Sequence, residues 1–296
     1  MHPFDPTVHV LAASPGIPEQ TYRELRPAPA LATHVACLWI QQVAPDAAPY
    51  MHRTIPNGGV EVACRVGSVP RLVGPRTGAD VEVLAPGTTV IGVRFHPGAA
   101  PSALGVPASE LLDRTVELEE IVGRPAVTLG ERVAASASPV EALAVLRDQL
   151  LAQLAAARDP DPIVAETVRR LMPWRTPDVG SLPSALNISE RQLRRRCLSG
   201  VGVGPKVLHR TLRFQGFVAL AQLAMAQGRR PDGDGLALLA AEAGYADQSH
   251  LTRESMRLAG LSPRAFLRDA EERCAPGHDH AASFVPLLRS RRPAAA

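Results

Sequence analysis

Lysine is almost absent from this chain: of 32 basic residues only Lys206 is not an arginine, a bias that carries no mechanism by itself. No run of about 18 apolar residues occurs, so no segment reads as a membrane-crossing helix. The first residues, interrupted by Pro3, Asp5, Pro6 and Glu19, lack the basic-then-apolar layout of a secretion signal. A soluble, cytoplasmic protein with no membrane partner is the expectation. Cysteine is scarce as well. Cys37, Cys64, Cys197 and Cys274 stand apart with no Cys-x-x-Cys pair, which argues against a zinc knuckle or a disulfide scaffold and predicts reduced, buried thiols.

Metal chemistry finds little support. A cupin-type centre needs His-x-His and a carboxylate brought to one point, whereas His34, His52 and His96 are separated. His278 and His280 do form His-x-His, but within a Gly/Pro/Ala-rich tail, residues 274–296, that is expected to be flexible. We expect no metal, no cofactor and no catalytic residue.

What is present is a repeat. Residues 193–205 and 251–263 share one template: Leu, any residue, Arg, six residues, Gly, an aliphatic, any residue, Pro. Leu193 matches Leu251, Arg195 matches Arg253, Gly202 matches Gly260 and Pro205 matches Pro263. Two copies are too few for a solenoid. Each is preceded by a short apolar stretch, residues 182–186 and 236–243, so each reads as helix, tight turn, helix. In the first turn Ser189 is placed to cap the next helix, and in the second Gly244 supplies a left-handed residue. The second helices are expected over residues 190–199 and 247–258, with Gly202 and Gly260 ending them.

A helix-turn-helix lays its second helix in the DNA major groove. The first copy places Arg191, Gln192, Arg194, Arg195 and Arg196 there around an inward Leu193; the second places Gln248, Ser249, His250 and Arg253 around Leu251. Arg and Gln can pair with base edges, which makes this pattern a candidate reader of double-stranded DNA. Charge agrees: residues 169–273 hold 17 Lys+Arg against 10 Asp+Glu, while residues 1–168 hold 12 against 18. A basic, DNA-sized domain is joined to an acidic one.

Residues 236–263, with the run Ala-Ala-Glu-Ala-Gly-Tyr-Ala-Asp-Gln-Ser-His-Leu-Thr-Arg, resemble the second helix-turn-helix of the AraC/XylS family of bacterial transcription regulators. The first copy and residues 207–225, including Leu212-Arg213-Phe214, resemble that family's first unit and linker helix. The resemblance implies two recognition helices held on successive major grooves by a rigid linker. Carried over by position, the base-contacting sites fall on Arg191, Arg194 and Arg195, and on Gln248, Ser249, His250 and Arg253. Adjacent grooves lie about 34 Å apart, and a linker of about 20 residues over 205–225 would rise about 30 Å. Two departures stand out: Cys197 and Ser255 replace a core Phe, and the link over residues 228–235 is long and Gly-rich. Both predict a looser second unit.

Ahead of this domain, Val60, Val62, Cys64 and Val66 alternate with Glu61, Ala63 and Arg65, the pattern of a half-buried strand. Further strands are expected over residues 35–43, 81–84 and 88–95, giving a small antiparallel barrel or sandwich. A helix is expected over residues 138–158, with Val140, Leu143, Leu146, Leu150 and Leu154 on one stripe, and another over 163–172 after an Asp-Pro linker at 159–162. The expected fold is therefore α+β: a β-rich, cupin-like domain (1–125), a helical segment that could serve a homodimer (126–172), an all-α double helix-turn-helix domain (173–273) and the tail. The stretches at residues 54–61, 73–75 and 92–98 are similar to a group of AraC-type regulators with an uncharacterised first domain. That resemblance implies a sensor role and names no ligand. Asn57, Glu61, Arg94, His96 and also His52 are the suggestive polar residues for a small-molecule effector, against the plainer reading that Asn57-Gly58 is a turn and Arg94 pairs with a carboxylate. RNA polymerase would be a further partner of an activator. A DNA-repair alkyl-transfer protein, or a cupin-type enzyme fused to a DNA-binding module, is the alternative reading; the first would need an activated cysteine.

Overall fold

The computed structural model describes residues 19–174, 178–229, 234–274 and 278–289. The first part is built on strands β1 (Gln20–Leu25), β2 (Val35–Val43), β3 (Tyr50–Thr54), β4 (Glu61–Arg65), β5 (Arg71–Val73), β6 (Asp80–Leu84) and β7 (Thr89–Phe95). Helix α1 (Ala100–Leu104), strand β8 (Thr115–Glu117), and helices α2 (Glu119–Val122), α3 (Pro125–Ala134) and α4 (Pro139–Leu154) follow. Then come α5 (Pro162–Leu171), α6 (Leu182–Ala185), α7 (Glu190–Val201), α8 (Pro205–Ala226), α9 (Asp234–Glu242), α10 (Gln248–Ala259) and α11 (Pro263–Cys274), and finally a short strand β9 (His278–Asp279) and α12 (Ala281–Arg289).

The main sheet runs β8-β5-β4-β7-β2-β1-β9, antiparallel except for β1 with β9; β3 and β6 pair as a separate ribbon. Among the described residues it is an open sheet with β8 and β9 at its edges. Because side chains alternate across a strand, its central strands present two faces. One carries Leu38, Ile40, Val62, Cys64, Ile91, Val93 and Phe95, which pack with Leu143, Leu146 and Leu150 of α4. The other carries Tyr22, Cys37, Trp39 and Ala63. Strand β4 is thus covered on both faces, with even Glu61 and Ala63 buried, where alternation alone predicted one wet face.

The stripe on α4 is spent on its own domain, and Val140, expected on that stripe, is 59% exposed. Its leucines are turned inward, against the sheet. Ser138 caps α4 by accepting the Glu141 amide. Helix α5 packs instead with the first helix-turn-helix: Val164 and Leu171 join Leu182, Leu193, Cys197, Leu208 and Leu212 in one core. Farther along α8, Phe214, Phe217, Val218 and Leu220 enter a second core with Leu236, Tyr245, Leu251, Leu258 and Phe266. One 22-residue helix, about 33 Å long, therefore carries both units.

The expected looseness of the second unit finds a local answer. Ser255 is fully buried, yet its hydroxyl donates to the Leu261 carbonyl at 2.7 Å across the turn that ends α10. Residues 230–233 of the Gly-rich link lie outside the described residues.

The tail is a clear correction. Residues 278–289 are not a free end: β9 pairs with β1, and α12 lies against the second face of the sheet, with Ala282 in its apolar cluster. Apolar residues at Ala282, Phe284 and Leu288 give this segment a side to bury, which its Gly/Pro/Ala-rich surroundings obscure.

Gly92 lets the second face form. A Cβ there would stand 2.3 Å from the Trp39 ring. Gly92→Ala should push the indole aside and cost about 1–3 kcal/mol, a typical overpacking penalty. Thermal unfolding followed by tryptophan fluorescence checks this, and an unchanged melting temperature would show that the ring has room to move.

Candidate functional site

Two candidate sites emerge, the exposed faces of the second helices of the helix-turn-helix units and a cavity. In the first, Ser189 and Gln192 form a reciprocal capping box: the Ser189 hydroxyl accepts the Gln192 amide at 3.2 Å, and Gln192 Oε1 accepts the Ser189 amide at 2.9 Å. Gln192 is therefore occupied by the cap, a role the base-reading expectation overlooked. Leu193, Cys197 and Val201 face the core, and Gly202 ends the helix at φ 82°. Arg191, Arg194 and Arg195 are exposed at i, i+3 and i+4, hence on one side, and among the described residues none of them is in an ion pair. Arg196 is different, because its guanidinium binds Asp161 at 2.5 Å.

In the second unit Asp247 caps α10 by accepting the His250 amide at 2.6 Å, and Gly260 closes it at φ 70°. Gln248, Ser249 and Arg253 are exposed. His250 is half-buried. Its ring meets Tyr245 edge-on at 5.1 Å and its Nε2 lies 3.4 Å from Arg213, whose guanidinium sits 4.7 Å over the Tyr245 ring. His250 thus braces the turn against α8, which sequence position alone did not reveal.

The cavity, about 490 Å³, lies where the sheet's second face meets the DNA-binding helices. Tyr22, Trp39 and Arg94 form its floor, Tyr50 and His52 of the β3–β6 ribbon one side, and Leu212, Gln215 and Val218 of α8 with Phe266 of α11 the other. The expected effector residues Asn57, Glu61, Arg94 and His96 all line it. Arg94 is the hub: its Nε donates to Glu61 at 2.7 Å, Nη1 to Glu24 at 2.9 Å and to Ser283 Oγ at 2.8 Å, and Nη2 to Tyr22 at 3.2 Å. Asn57 adds a bond to Glu61 at 3.0 Å while its own carbonyl oxygen accepts the Gly59 amide at 2.8 Å. Burial works against the charge on Arg94, but Glu61, Tyr22, Cys37 and Glu24 outweigh it and hold its pKa well above the usual value. His96 stands apart from this network, its pKa lowered by burial.

Sequence reading missed Tyr22, Glu24, His280 and Ser283. Glu24 is buried, and it accepts both the Ser283 hydroxyl and the Ser283 amide at 2.8 Å from 259 residues away. His280 stacks on Tyr22 at 4.7 Å, and His278 approaches the same ring at 5.6 Å. The alternating His278-x-His280 was the available signal. Burial first, then neighbouring positive charge, lowers both histidines to about 3.

The ends of α7 and α10, with α8 and α11, also touch the first domain. Arg53 Nη1 donates to the Ala259 carbonyl at 3.1 Å and pairs with Asp269, Gln215 donates to the Pro56 carbonyl at 2.7 Å, and Gly202 lies against Ala108 and Pro75.

Residues 182–269 match a family described as a helix-turn-helix domain. They form a DNA-binding domain of the AraC type. Residues 23–117 match a domain of unknown function. Among solved structures, the chain is similar to an apo variant of ToxT from Vibrio cholerae, at 11% identity and a TM-score of 0.45 over 82% of this chain and 99% of that one. It is also similar to unsaturated fatty acid bound wild-type ToxT from Vibrio cholerae, at 12% identity and 0.39 over 84% and 94%. No curated protein matches. The AraC-type domain identifies the chain as a DNA-binding transcription regulator. No helix among its described residues is long and apolar enough to cross a membrane.

The two lowered histidines give the regulator a pH dependence. Both bind protons more readily when unfolded, near the ordinary value of about 6.5, than when folded, at about 3. Their contribution to stability is therefore full above about pH 6.5 and lost as pH falls toward 3. Around them stand Tyr22 and Glu24 from β1, His52 from β3 and Arg94 from β7. The melting temperature should fall between pH 7 and 5, and His278→Gln/His280→Gln should flatten that slope. An equally steep slope in the double variant would place the titrating groups elsewhere.

Proposed function

We propose that α7 and α10 read two successive major grooves and that a small molecule in the cavity modulates the reading. The observation that carries the first half is the unpaired arginine face of α7, Arg191, Arg194 and Arg195, on a capped helix whose opposite side is buried. Arg253 repeats the Arg195 position on α10, with Gln248 and Ser249 beside it. The length of α8, about 33 Å, is close to the roughly 34 Å between adjacent turns of a groove. Gln192 and His250 serve as supports of the reading helices, and Arg196 joins α7 to the Asp161 cap of α5.

The second half rests on the position of the cavity. Anything bound there touches the sheet, α8 and α11 together, so its occupancy bears on how the first domain holds the DNA-binding helices. Activation would add a contact with RNA polymerase, and nothing in this reading requires a homodimer. The protein would act where its DNA is, in the cytoplasm. The alkyl-transfer alternative asks for a reactive thiolate, whereas burial pushes Cys37 up to about 12 and both Cys64 and Cys197 up to about 11.

An operator selected from random duplex DNA tests the reading. Each paired base contact discriminates by about 1–3 kcal/mol, so Arg195→Ala/Arg253→Ala should lower specific affinity by about 100-fold or more, whereas Arg196→Ala should leave base preference intact. Equal specific binding by the double variant and the wild type in a gel-shift titration would rule out these helices as readers.

A further inference from the structure

One wall of the cavity is formed by the chain's own C-terminal segment, which closes over the Arg94 network. Ser283 enters the Arg94 network as a small ligand would: its hydroxyl accepts from Arg94 at 2.8 Å and donates to Glu24 at 2.8 Å, while its amide donates to the other Glu24 oxygen. His280 lies stacked on Tyr22, and Phe284 follows it into the cavity wall. The Leu287 carbonyl accepts the Trp174 indole N–H at 2.8 Å, which ties the far end of the segment to the chain following α5. Only residues 275–277 separate this segment from α11 of the second helix-turn-helix. The segment therefore joins the reading domain to the sensor sheet.

We propose that residues 278–289 are a built-in pseudo-ligand and that the effector is an aromatic amine or alcohol that takes their place. The inference rests on the effector reading above and gives it a chemistry. Aromatic residues make up only 4% of the chain, yet Tyr22, Trp39 and Tyr50 stand together on this wall. A flat ring has surfaces to stack on there, as His280 does. Charge decides the polar group. The three arginines of the wall, Arg53, Arg94 and Arg169, are each already in an ion pair, with Asp269, with Glu24 and Glu61, and with Glu166. A carboxylate ligand would meet no unpaired arginine there and would face Glu24, which Ser283 satisfies with two donors. A hydroxyl reproduces one donor to Glu24 together with the acceptor for Arg94, and an ammonium reproduces both donors; a carboxylate supplies no donor to Glu24. Displacing the segment unties α11 from the sheet, so ligand and DNA would be linked through the tail.

The test uses the full chain. Ser283→Ala/Phe284→Ala removes the hydroxyl and the ring that seat the segment, and Ser283→Ala alone removes only the hydroxyl. Three probes share one ring system and differ in charge: 1-naphthylmethylamine, 1-naphthalenemethanol and 1-naphthoate. Hydrogen exchange over residues 278–289 should be slow in the wild type and about tenfold faster in the double variant, with the single variant between. Calorimetry should show the double variant binding the amine and the alcohol about tenfold tighter than the wild type does, and about tenfold tighter than naphthoate. Unchanged exchange in the double variant would mean that the segment is not seated as described. Binding of none of the probes, or tightest binding of naphthoate, would overturn the ligand class. Operator affinity measured on the same samples separates these failures from a failure of the DNA-binding reading.

Discussion

A buried guanidinium organises the first domain. Taking an ion out of water costs several kcal/mol, and Arg94 is tolerable inside the protein only because Glu24, Glu61, Tyr22 and Ser283 surround it. The four partners come from three places: Tyr22 and Glu24 from β1, Glu61 from the neighbouring strand β4 and Ser283 from the C-terminal helix α12. Arg94 and Glu61 are also register partners across β7 and β4, so slipping one strand by one residue would turn its charge onto the apolar face against α4 and leave the other unpaired. The network thus fixes the sheet register, keeps one face polar enough to hold a cavity, and gives the end of the chain a place to dock. Removing Arg94 would leave two buried carboxylates without a cation, a larger penalty than the loss of any single contact.

That cavity matters for function because of what else borders it. Helix α8 passes through both helix-turn-helix cores and, at Gln215, bonds to the Pro56 carbonyl of the first domain in a buried contact. Arg53, next to His52 on the ribbon, reaches the last carbonyl of α10, that of Ala259. The sheet domain and the helix-turn-helix domain therefore share walls, and a change on one side has a short physical route to the other.

How much of this could be read from the sequence follows from the range of the interactions. The reading helices were legible because their determinants are local: Ser189 and Asp247 cap within three residues, Gly202 and Gly260 stop the helices, and Leu193 and Leu251 mark the buried side. Strand β2 and helix α4 were legible for the same reason, from apolar runs and a proline at the first turn. Asn57, Glu61, Arg94 and His96 could be singled out as polar residues in strand-rich sequence, but not the network that joins the first three. Tyr22 and Glu24 meet Ser283 only after the whole chain has folded, and nothing in the sequence around Ser283 announces that encounter. The His-x-His alternation was a strand signal hidden by its neighbours. The local contacts of His250 and Gln192 were not legible for a related reason, since helical position shows which way a residue points but not whether a nearby cap or ring also engages it.

The central claim is that one chain places two reading helices on one side of DNA. Hydroxyl-radical footprinting of the full-length protein on its selected operator tests it most directly. We predict two protected patches about one helical turn apart, with Arg195→Ala weakening one and Arg253→Ala the other. A single patch, or two patches that both respond to either substitution alone, would contradict the account.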